Sequence, residues 1–227
     1  MAMNKSKGNM YEFVTHTWNT VKGECPHNCI YCYMKSIARR FNKPQRAPHF
    51  DDRELKTNLG EGNFIFVGSS NDLFAKDIPA EWIQKTLEHC GKFNNRYLFQ
   101  TKNPERILDF TEYEIIRKSV VCTTLECDVF YPEFMGNTPH PMERSIAMQR
   151  LNEKGIQTYV TVEPIIDFLL EHFVTAIIRC NPTQVNIGAD SGHNHLPEPP
   201  KDKIMQLISE LEKFTTVKLK SNINRLL

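Results

Sequence analysis

The chain has 227 residues, of which 40% are hydrophobic and 24% charged, so it can bury a core and is not a disordered polymer. Its 28 Lys and Arg residues nearly balance its 27 Asp and Glu residues. No run approaches the roughly 18 apolar residues of a membrane span, and the first residues lack the apolar stretch of a secretory signal. We therefore expect a cytoplasmic protein that does not contact a membrane.

Apolar, β-branched runs alternate with amphipathic stretches along the chain, which is typical of βα units. The predicted strands, in chain order, are 12–16, 63–67, 96–100, 119–125, 156–162, 184–188 and 215–219. The predicted helices are one after residue 34, then 79–91, 140–154, 165–179 and 200–213. In the helix over 140–154, we expect Met142, Ile146 and Leu151 to lie roughly along one face.

This alternation predicts an α/β fold with a parallel sheet, open or curled. We expect one domain over residues 1–227, with a short C-terminal extension after about residue 215. In barrel versions of such folds the chemistry lies at the carboxyl ends of the strands.

The predicted strand ends are unusually polar. They carry Ser69, Ser70, Asn71 and Asp72, then Thr101, Lys102 and Asn103, then Thr124 and Glu126, then Glu163, and finally Asp190 and Ser191. Because side chains alternate along a strand, Cys122, Thr124 and Glu126 share one face. Repetition over five strands favours a single site at this edge, although Asp72 or Asp190 alone could be a helix cap.

Three of the seven cysteines crowd into eight residues, as Cys25, Cys29 and Cys32 in the loop 23–34. Clustering of this kind in a reducing compartment indicates metal or redox chemistry. Three thiolates can hold three corners of a cubane iron–sulfur cluster and leave the fourth iron open, whereas most electron-transfer clusters have four cysteines. The alternative is structural zinc with His27 or His49 as fourth ligand, although such sites usually use two separated pairs.

The Cys-x3-Cys-x2-Cys loop, with Tyr31 before its last cysteine, resembles the signature of the radical S-adenosylmethionine superfamily. The resemblance continues into spore photoproduct lyase and a related phage and bacterial family whose reaction is unassigned. The stretches that carry it are 18–19, 70–74, 100–106, 124–126, 162–164 and 188–192. It implies a partial (β/α)6 TIM-like barrel and an enzyme with a [4Fe-4S] cluster that cleaves S-adenosylmethionine to a 5′-deoxyadenosyl radical.

The resemblance also implies roles for individual residues. Cys25, Cys29 and Cys32 would ligate the cluster, and Tyr31 would pack near the adenine. Ser69, Ser70, Asn71 and Asp72, with Thr124 and Glu126, would hold the methionine and ribose, while Glu163 and Asp190 would meet ribose or substrate. Lys102 would bind a carboxylate or an anionic substrate, and Lys102, Glu126 and Cys122 are the candidate catalytic residues.

Two segments depart from the superfamily pattern. Gly68-Ser69-Ser70-Asn71 stands where Gly-Gly-Glu is usual, so the methionine amino group would meet hydroxyl, amide or backbone. Residues 188–192 place Asp190 where a longer glutamate is expected.

The sequence leaves the substrate open. Residues 1–50 carry eight basic side chains against two acidic ones, which can mark an anionic partner or an ordinary solvated face. Arg39, Arg40, Lys43 and Arg46, with the likeness to a DNA-lesion lyase, suggest a nucleotide in DNA as substrate. We expect a monomer that receives electrons from a flavodoxin or ferredoxin. The alternative function is a non-catalytic, zinc-stabilised module that binds nucleic acid.

Overall fold

The structure is a computed structural model that describes residues 3–6, 11–42, 44 and 46–227. Its strands are Asn4–Lys5 (β1), His16–Trp18 (β2), Val21–Lys22 (β3), His49–Phe50 (β4), Phe64–Val67 (β5), Arg96–Thr101 (β6), Val120–Thr124 (β7), Gln157–Val162 (β8), Gln184–Ile187 (β9) and Thr216–Leu219 (β10). Its α-helices are Tyr33–Arg40 (α1), Ala80–Cys90 (α2), Glu114–Arg117 (α3), Pro132–Met135 (α4), Pro141–Glu153 (α5), Leu170–Arg179 (α6) and Lys201–Glu212 (α7). Short 3-10 helices cover Asp52–Lys56, Pro104–Phe110 and Ser221–Arg225.

Eight strands form one sheet in the order β1-β2-β5-β6-β7-β8-β9-β10. Every neighbouring pair is parallel except β1 and β2. Each of β2 and β5 to β9 is followed by a helix before the next parallel strand begins, which confirms the predicted α/β class and its six βα units. β1 and β10 are the edges of the sheet, so the described residues form an open sheet rather than a closed barrel.

The two faces of the sheet bury different sets of side chains. On β5, Ile65 and Val67 belong to the large core that includes the helices, while Phe64 and Phe66 lie on the opposite face. We call this opposite face the inner face. This inner face carries a small apolar cluster, made of Tyr11, Val14, Phe64, Phe66, Leu98, Val120 and Cys122.

The first strand lies later than predicted. The sequence predicts it over 12–16, but the strand is His16–Trp18. Tyr11 and Phe13 instead stack on each other with ring centroids 5.3 Å apart and pack against the apolar cluster of the inner face. Burial of aromatic rings against the sheet therefore outweighs their strand propensity.

The helix predicted over 165–179 begins only at Leu170. The reason is tertiary hydrogen bonding: the backbone N–H of Ile165 donates to Gly188 O and that of Ile166 to Glu126 O, both at 2.9 Å. These bonds hold the segment across the ends of neighbouring strands, where it cannot also be helical.

The buried face of α5 also differs from the prediction. Ile146 is 45% exposed, and the buried side chains include Arg144, Met148 and Leu151 at helical spacing. An arginine thus occupies a core position that periodicity assigns to apolar residues.

No helix among the described residues is long and apolar enough to cross a membrane.

Candidate active site

A cavity of about 1700 Å³ opens at the carboxyl ends of the parallel strands. It is larger than the several hundred Å³ typical of a pocket for one small molecule. The predicted site residues that line it are Cys25, Cys29, Tyr31, Cys32, Ser69, Ser70, Asn71, Asp72, Lys102, Thr124, Glu163 and Asp190. Residues from six separate stretches of the chain therefore line one cavity, at the edge of the sheet where the polar strand ends predict a site.

Two predicted residues, Cys122 and Glu126, do not line the cavity. Cys122 is fully buried in the apolar cluster of the inner face, and Glu126 is fully buried beneath Tyr31 and Lys102. Direct contact of either residue with a ligand stays a prediction.

The cysteine loop is held by the segment around α4. The backbone N–H of Ile30 donates to Phe134 O (3.0 Å), and that of Asn137 donates to His27 O (2.7 Å). The Cys29 thiol lies 3.3 Å from Met135 O. Gly136 makes this approach possible, since it has φ +62° and a Cβ there would lie 2.3 Å from His27 O.

Gly136→Ala is therefore expected to displace the cysteine loop. The strained backbone alone costs about 1–3 kcal/mol, and the contact with His27 O cannot be relieved by a flexible side chain. Gly155→Ala is the matched control, because Gly155 has φ +79° but a Cβ added there would meet nothing within 4 Å. Both variants should lose stability in urea, and only Gly136→Ala should lose iron binding. Equal iron content in the two would contradict the role given to Gly136.

The three thiols differ in their surroundings. Cys29 is buried, and Cys25 and Cys32 are partly exposed. Burial raises the pKa of Cys29, and burial with the nearby Asp72 charge raises the pKa of Cys25 to about 12. Thiolates at these positions therefore need a cation to stabilise them, as metal ligands do. As the side chains stand, no group of three or more His, Cys, Asp or Glu residues in the described part of the chain could hold a metal ion.

Asp72 ties the cysteine loop to the strand ends. Its Oδ2 lies 2.8 Å from His27 Nε2 and accepts the Thr101 hydroxyl (3.0 Å) and the Lys102 backbone N–H (2.8 Å). Its Oδ1 accepts the Phe74 backbone N–H at 3.0 Å. Burial alone raises the pKa of Asp72, but His27 and these donors outweigh it and leave the pKa below its usual value.

Asn71 has an unpartnered oxygen in the cavity wall. Its Nδ2 donates to Gly23 O and Glu24 O, both at 3.2 Å, which fixes the orientation of the amide. Its Oδ1 is buried and has no hydrogen-bond partner among the described residues. A buried acceptor of this kind costs about 1–3 kcal/mol unless a donor reaches it, so the position suits an N–H or O–H group of a ligand.

A buried charge cluster lies beneath Lys102. Lys102 Nζ donates to Glu126 Oε1 (2.5 Å), and Arg144 Nη1 donates to Glu126 Oε2 (2.7 Å). The Tyr31 hydroxyl also donates to Glu126 Oε1 and accepts from Lys102 Nζ at 3.2 Å. Burial alone raises the pKa of Glu126, but Arg144 and Lys102 overcome it and lower the pKa to about 2. Glu126 is therefore ionised at neutral pH.

Two residues near the C-terminus, Lys220 and Asn222, hold Glu163 in the cavity lining. Lys220 Nζ donates to Glu163 Oε2 (2.5 Å) and lies 4.8 Å from the centre of the Tyr11 ring. Asn222 Nδ2 donates to Glu163 Oε1 at 2.9 Å. Glu163 is thus charge-balanced by a lysine from the segment that the sequence predicts to be only a short extension.

The Asp190 carboxylate makes its hydrogen bonds within its own loop, to Gly192 and Asn194. It accepts the Gly192 backbone N–H (3.0 Å) and, from Asn194, the backbone N–H and the side-chain amide. It still lines the cavity, but these donors occupy both oxygens.

The basic segment lies at the cavity mouth. Arg39 and Arg46 line it, and Arg40 is exposed at the end of α1. Lys43, the fourth predicted member, falls outside the described residues. No residue of α1 is buried, so the helix presents its basic end to solvent.

Sequence reasoning missed three contributors to the site: Arg144, His27 in its contact with Asp72, and Lys220. A signal existed for Arg144, because it shares a helical face with Met148 and Leu151 in the sequence. An arginine on an apolar helix face requires a buried partner. Nothing in the sequence relates Lys220 to Glu163, since their contact depends on the pairing of β10 with β9.

A family model described as "Protein of unknown function (DUF5131)" matches residues 9–201. No curated protein matches the sequence significantly.

The fold is similar to solved structures of spore photoproduct lyase. A mutant of that enzyme with bound AdoMet and dinucleoside spore photoproduct aligns with a TM-score of 0.69 at 13% identity, covering 93% of this chain and 78% of the other. A complex with dinucleoside spore photoproduct gives a TM-score of 0.65 at 11% identity, covering 93% and 78%. A further mutant complex gives 0.66 at 11% identity, covering 95% and 80%. At this identity the likeness shows the fold alone, which is the α/β fold of those structures.

Proposed function

The chain belongs to the family described as "Protein of unknown function (DUF5131)", and from its site we propose that it is a radical S-adenosylmethionine enzyme. The observation that carries the proposal is the cavity, which is lined at once by all three cysteines of the loop and by the polar ends of the parallel strands. The fold neighbours support it, because one of them is titled as a complex with AdoMet.

The residues present fit the two groups that this function needs. Cys25, Cys29 and Cys32 would hold a [4Fe-4S] cluster and leave one iron without a protein ligand. The unpartnered Asn71 Oδ1 suits the amino group of the methionine moiety, which is the amide contact expected where the usual glutamate is missing. Ser69 and Ser70 line the same cavity.

When bound, the cluster would supply the electron that cleaves S-adenosylmethionine to a 5′-deoxyadenosyl radical. The residues of the chain itself would bind and orient the cluster and S-adenosylmethionine. Asp72 fixes His27 and thereby the loop that carries the thiols. Tyr31 covers the buried Glu126, and burial raises its pKa well above the usual value, so it stays a neutral hydrogen-bond donor.

The zinc-stabilised module is the competing proposal, and the histidine contacts do not decide between the two, because a ligating imidazole usually bonds a carboxylate or a backbone carbonyl through its other ring nitrogen. His27 Nε2 is engaged by the buried Asp72, and His49 Nδ1 by the carbonyl of Ala47 in its own loop. A binding module, however, has no need of charged groups at five strand ends.

Metal analysis and spectroscopy on anaerobically purified protein separate the two proposals. The radical enzyme is expected to be brown, to contain iron and sulfide, and to change its electron paramagnetic resonance spectrum in the reduced state when S-adenosylmethionine is added. A colourless protein with one zinc per chain, which keeps that zinc after iron and sulfide are supplied, would support the module instead.

For the substrate we propose a nucleotide unit in DNA. Two observations support this: basic side chains at the mouth of the cavity, and a cavity volume that leaves room for a second ligand beside S-adenosylmethionine. Fold neighbours are titled as complexes with dinucleoside spore photoproduct.

Salt titration tests the basic segment directly. Each neutralised phosphate contributes about 0.9 to the slope of log affinity against log salt, so three contacts predict a slope of about −2.7 on duplex DNA. Replacing Arg39 and Arg40 together by alanine should flatten the slope by about 1.8. Arg117→Ala with Arg150→Ala is the control, since these arginines are paired with Glu112 and Glu105 away from the cavity lining. Salt-independent binding, or equal slopes in both double variants, would point to a small-molecule substrate.

A further inference from the structure

We propose that Arg144 is a positioning residue that makes Lys102 an anion-binding group of the cavity. The inference rests on the proposed function, and it concerns how the site holds the carboxylate of the methionine moiety. Arg144 donates a hydrogen bond to one oxygen of Glu126. Because one carboxylate cannot balance two cations, the Lys102 ammonium keeps positive charge that an anion can neutralise.

Lys102 and Arg144 are two cations that share the single carboxylate of Glu126. Without Arg144, Lys102 and Glu126 would be a neutral pair with little attraction for an anion. With Arg144, the three side chains carry one net positive charge in surroundings that screen it weakly.

Accessibility decides where that charge acts. Arg144 is fully buried, and its donors are taken by Pro139 O, Thr124 O, Glu126 Oε2, Thr138 Oγ1 and Met135 Sδ. A guanidinium has five N–H donors, so none remains for a ligand. Lys102 lines the cavity, its side chain is 17% exposed, and Glu126 and Tyr31 use two of its three ammonium N–H groups. The third is available at the cavity surface.

Two other carboxylates of the cavity, Glu163 and Asp72, have partners of their own. Glu163 is paired with Lys220 at the far end. Asp72 contacts the backbone N–H of Lys102 rather than its ammonium, and its oxygens are taken by His27, Thr101 and Phe74 as well.

Burying an arginine–carboxylate pair is a poor way to gain stability, because the desolvation of both charges offsets their attraction. A fully buried Arg144 needs Glu126 as its counter-ion even in a purely structural role, because an unpaired buried charge is costly. The two roles differ when both charges are removed: a structural defect of Arg144→Met is not repaired by neutralising Glu126, whereas a defect in charge placement is.

The test is equilibrium binding to the protein with its cluster in the oxidised state, where no electron is available for cleavage. The probes are S-adenosylmethionine and 5′-methylthioadenosine, which shares the nucleoside but lacks the amino acid. The ratio of their affinities reports on the amino-acid end of the site. Arg144→Met and Lys102→Met should each lower this ratio about 10- to 100-fold, the loss expected for one charge-assisted hydrogen bond.

Charge rescue distinguishes placement from structure. Glu126→Gln added to Arg144→Met removes both buried charges and leaves Lys102 unpaired, so the ratio should return to within about threefold of the wild type. A double variant that stays as weak as Arg144→Met overturns the proposal, and so does an Arg144→Met protein with the wild-type ratio. If wild-type protein cleaves S-adenosylmethionine but shows no preference over 5′-methylthioadenosine, only this inference fails. If it neither binds nor cleaves, the proposed function fails with it.

Discussion

Cys29→Ala is expected to abolish iron binding and all reductive cleavage of S-adenosylmethionine while the fold survives. Cys29 is the buried cysteine of the loop, so its loss cannot be replaced by a ligand from solvent. The core of the sheet and helices is extensive without the loop, unlike that of a zinc finger, whose folding depends on its metal. Iron content and circular dichroism on the same sample measure both effects.

Cys90→Ala is the matched control, because Cys90 is fully buried in the large core and distant in sequence from the loop. It should lose some stability by creating a small cavity and keep its full iron content. A Cys29→Ala protein that retains stoichiometric iron would overturn the ligand assignment.

Asp72→Ala is expected to cause the second large effect, on stability and on the cysteine loop together. The substitution leaves His27, the Thr101 hydroxyl and the backbone N–H groups of Phe74 and Lys102 without their acceptor. An unsatisfied buried donor costs about 1–3 kcal/mol, so the loss should reach several kcal/mol. Urea unfolding measures it, and iron content reports on the loop.

Asp72→Asn separates charge from hydrogen bonding, because the amide keeps one acceptor oxygen. It should be less destabilising than Asp72→Ala and should also change the pH dependence. The folded pKa of Asp72 lies below its unfolded value, so its contribution is present above about pH 4 and is lost as the pH falls below it. Asp72→Asn should flatten this part of the curve. An unchanged curve would mean that the Asp72 charge does not stabilise the fold.

The fold was largely predictable because the strands of this sheet are recognisable from local sequence. Runs such as 63–67 and 119–125 are buried on both faces, and such strands appear as continuous apolar, β-branched segments. The convergence of the site was predictable for the same reason, since parallel strands end at one edge.

What the sequence could not predict depends on contacts between distant segments. The apolar face of α5 indicates that Arg144 needs a buried partner, but it does not identify Glu126, which lies 18 residues away and is brought near by the packing of α5. Lys220 falls in the predicted extension, although β10 pairs with β9 and places it beside Glu163. The position of Glu126 beneath Tyr31 likewise follows from how the cysteine loop folds back over the strand ends.

The most direct test of the proposed function is product analysis on the reconstituted protein. Anaerobic protein loaded with iron and sulfide is incubated with S-adenosylmethionine and dithionite, and the nucleoside products are separated by chromatography. The account predicts 5′-deoxyadenosine and methionine in equal amounts, formed only with reductant and not by Cys29→Ala. Protein that carries the cluster but yields no 5′-deoxyadenosine, with or without DNA, would contradict it.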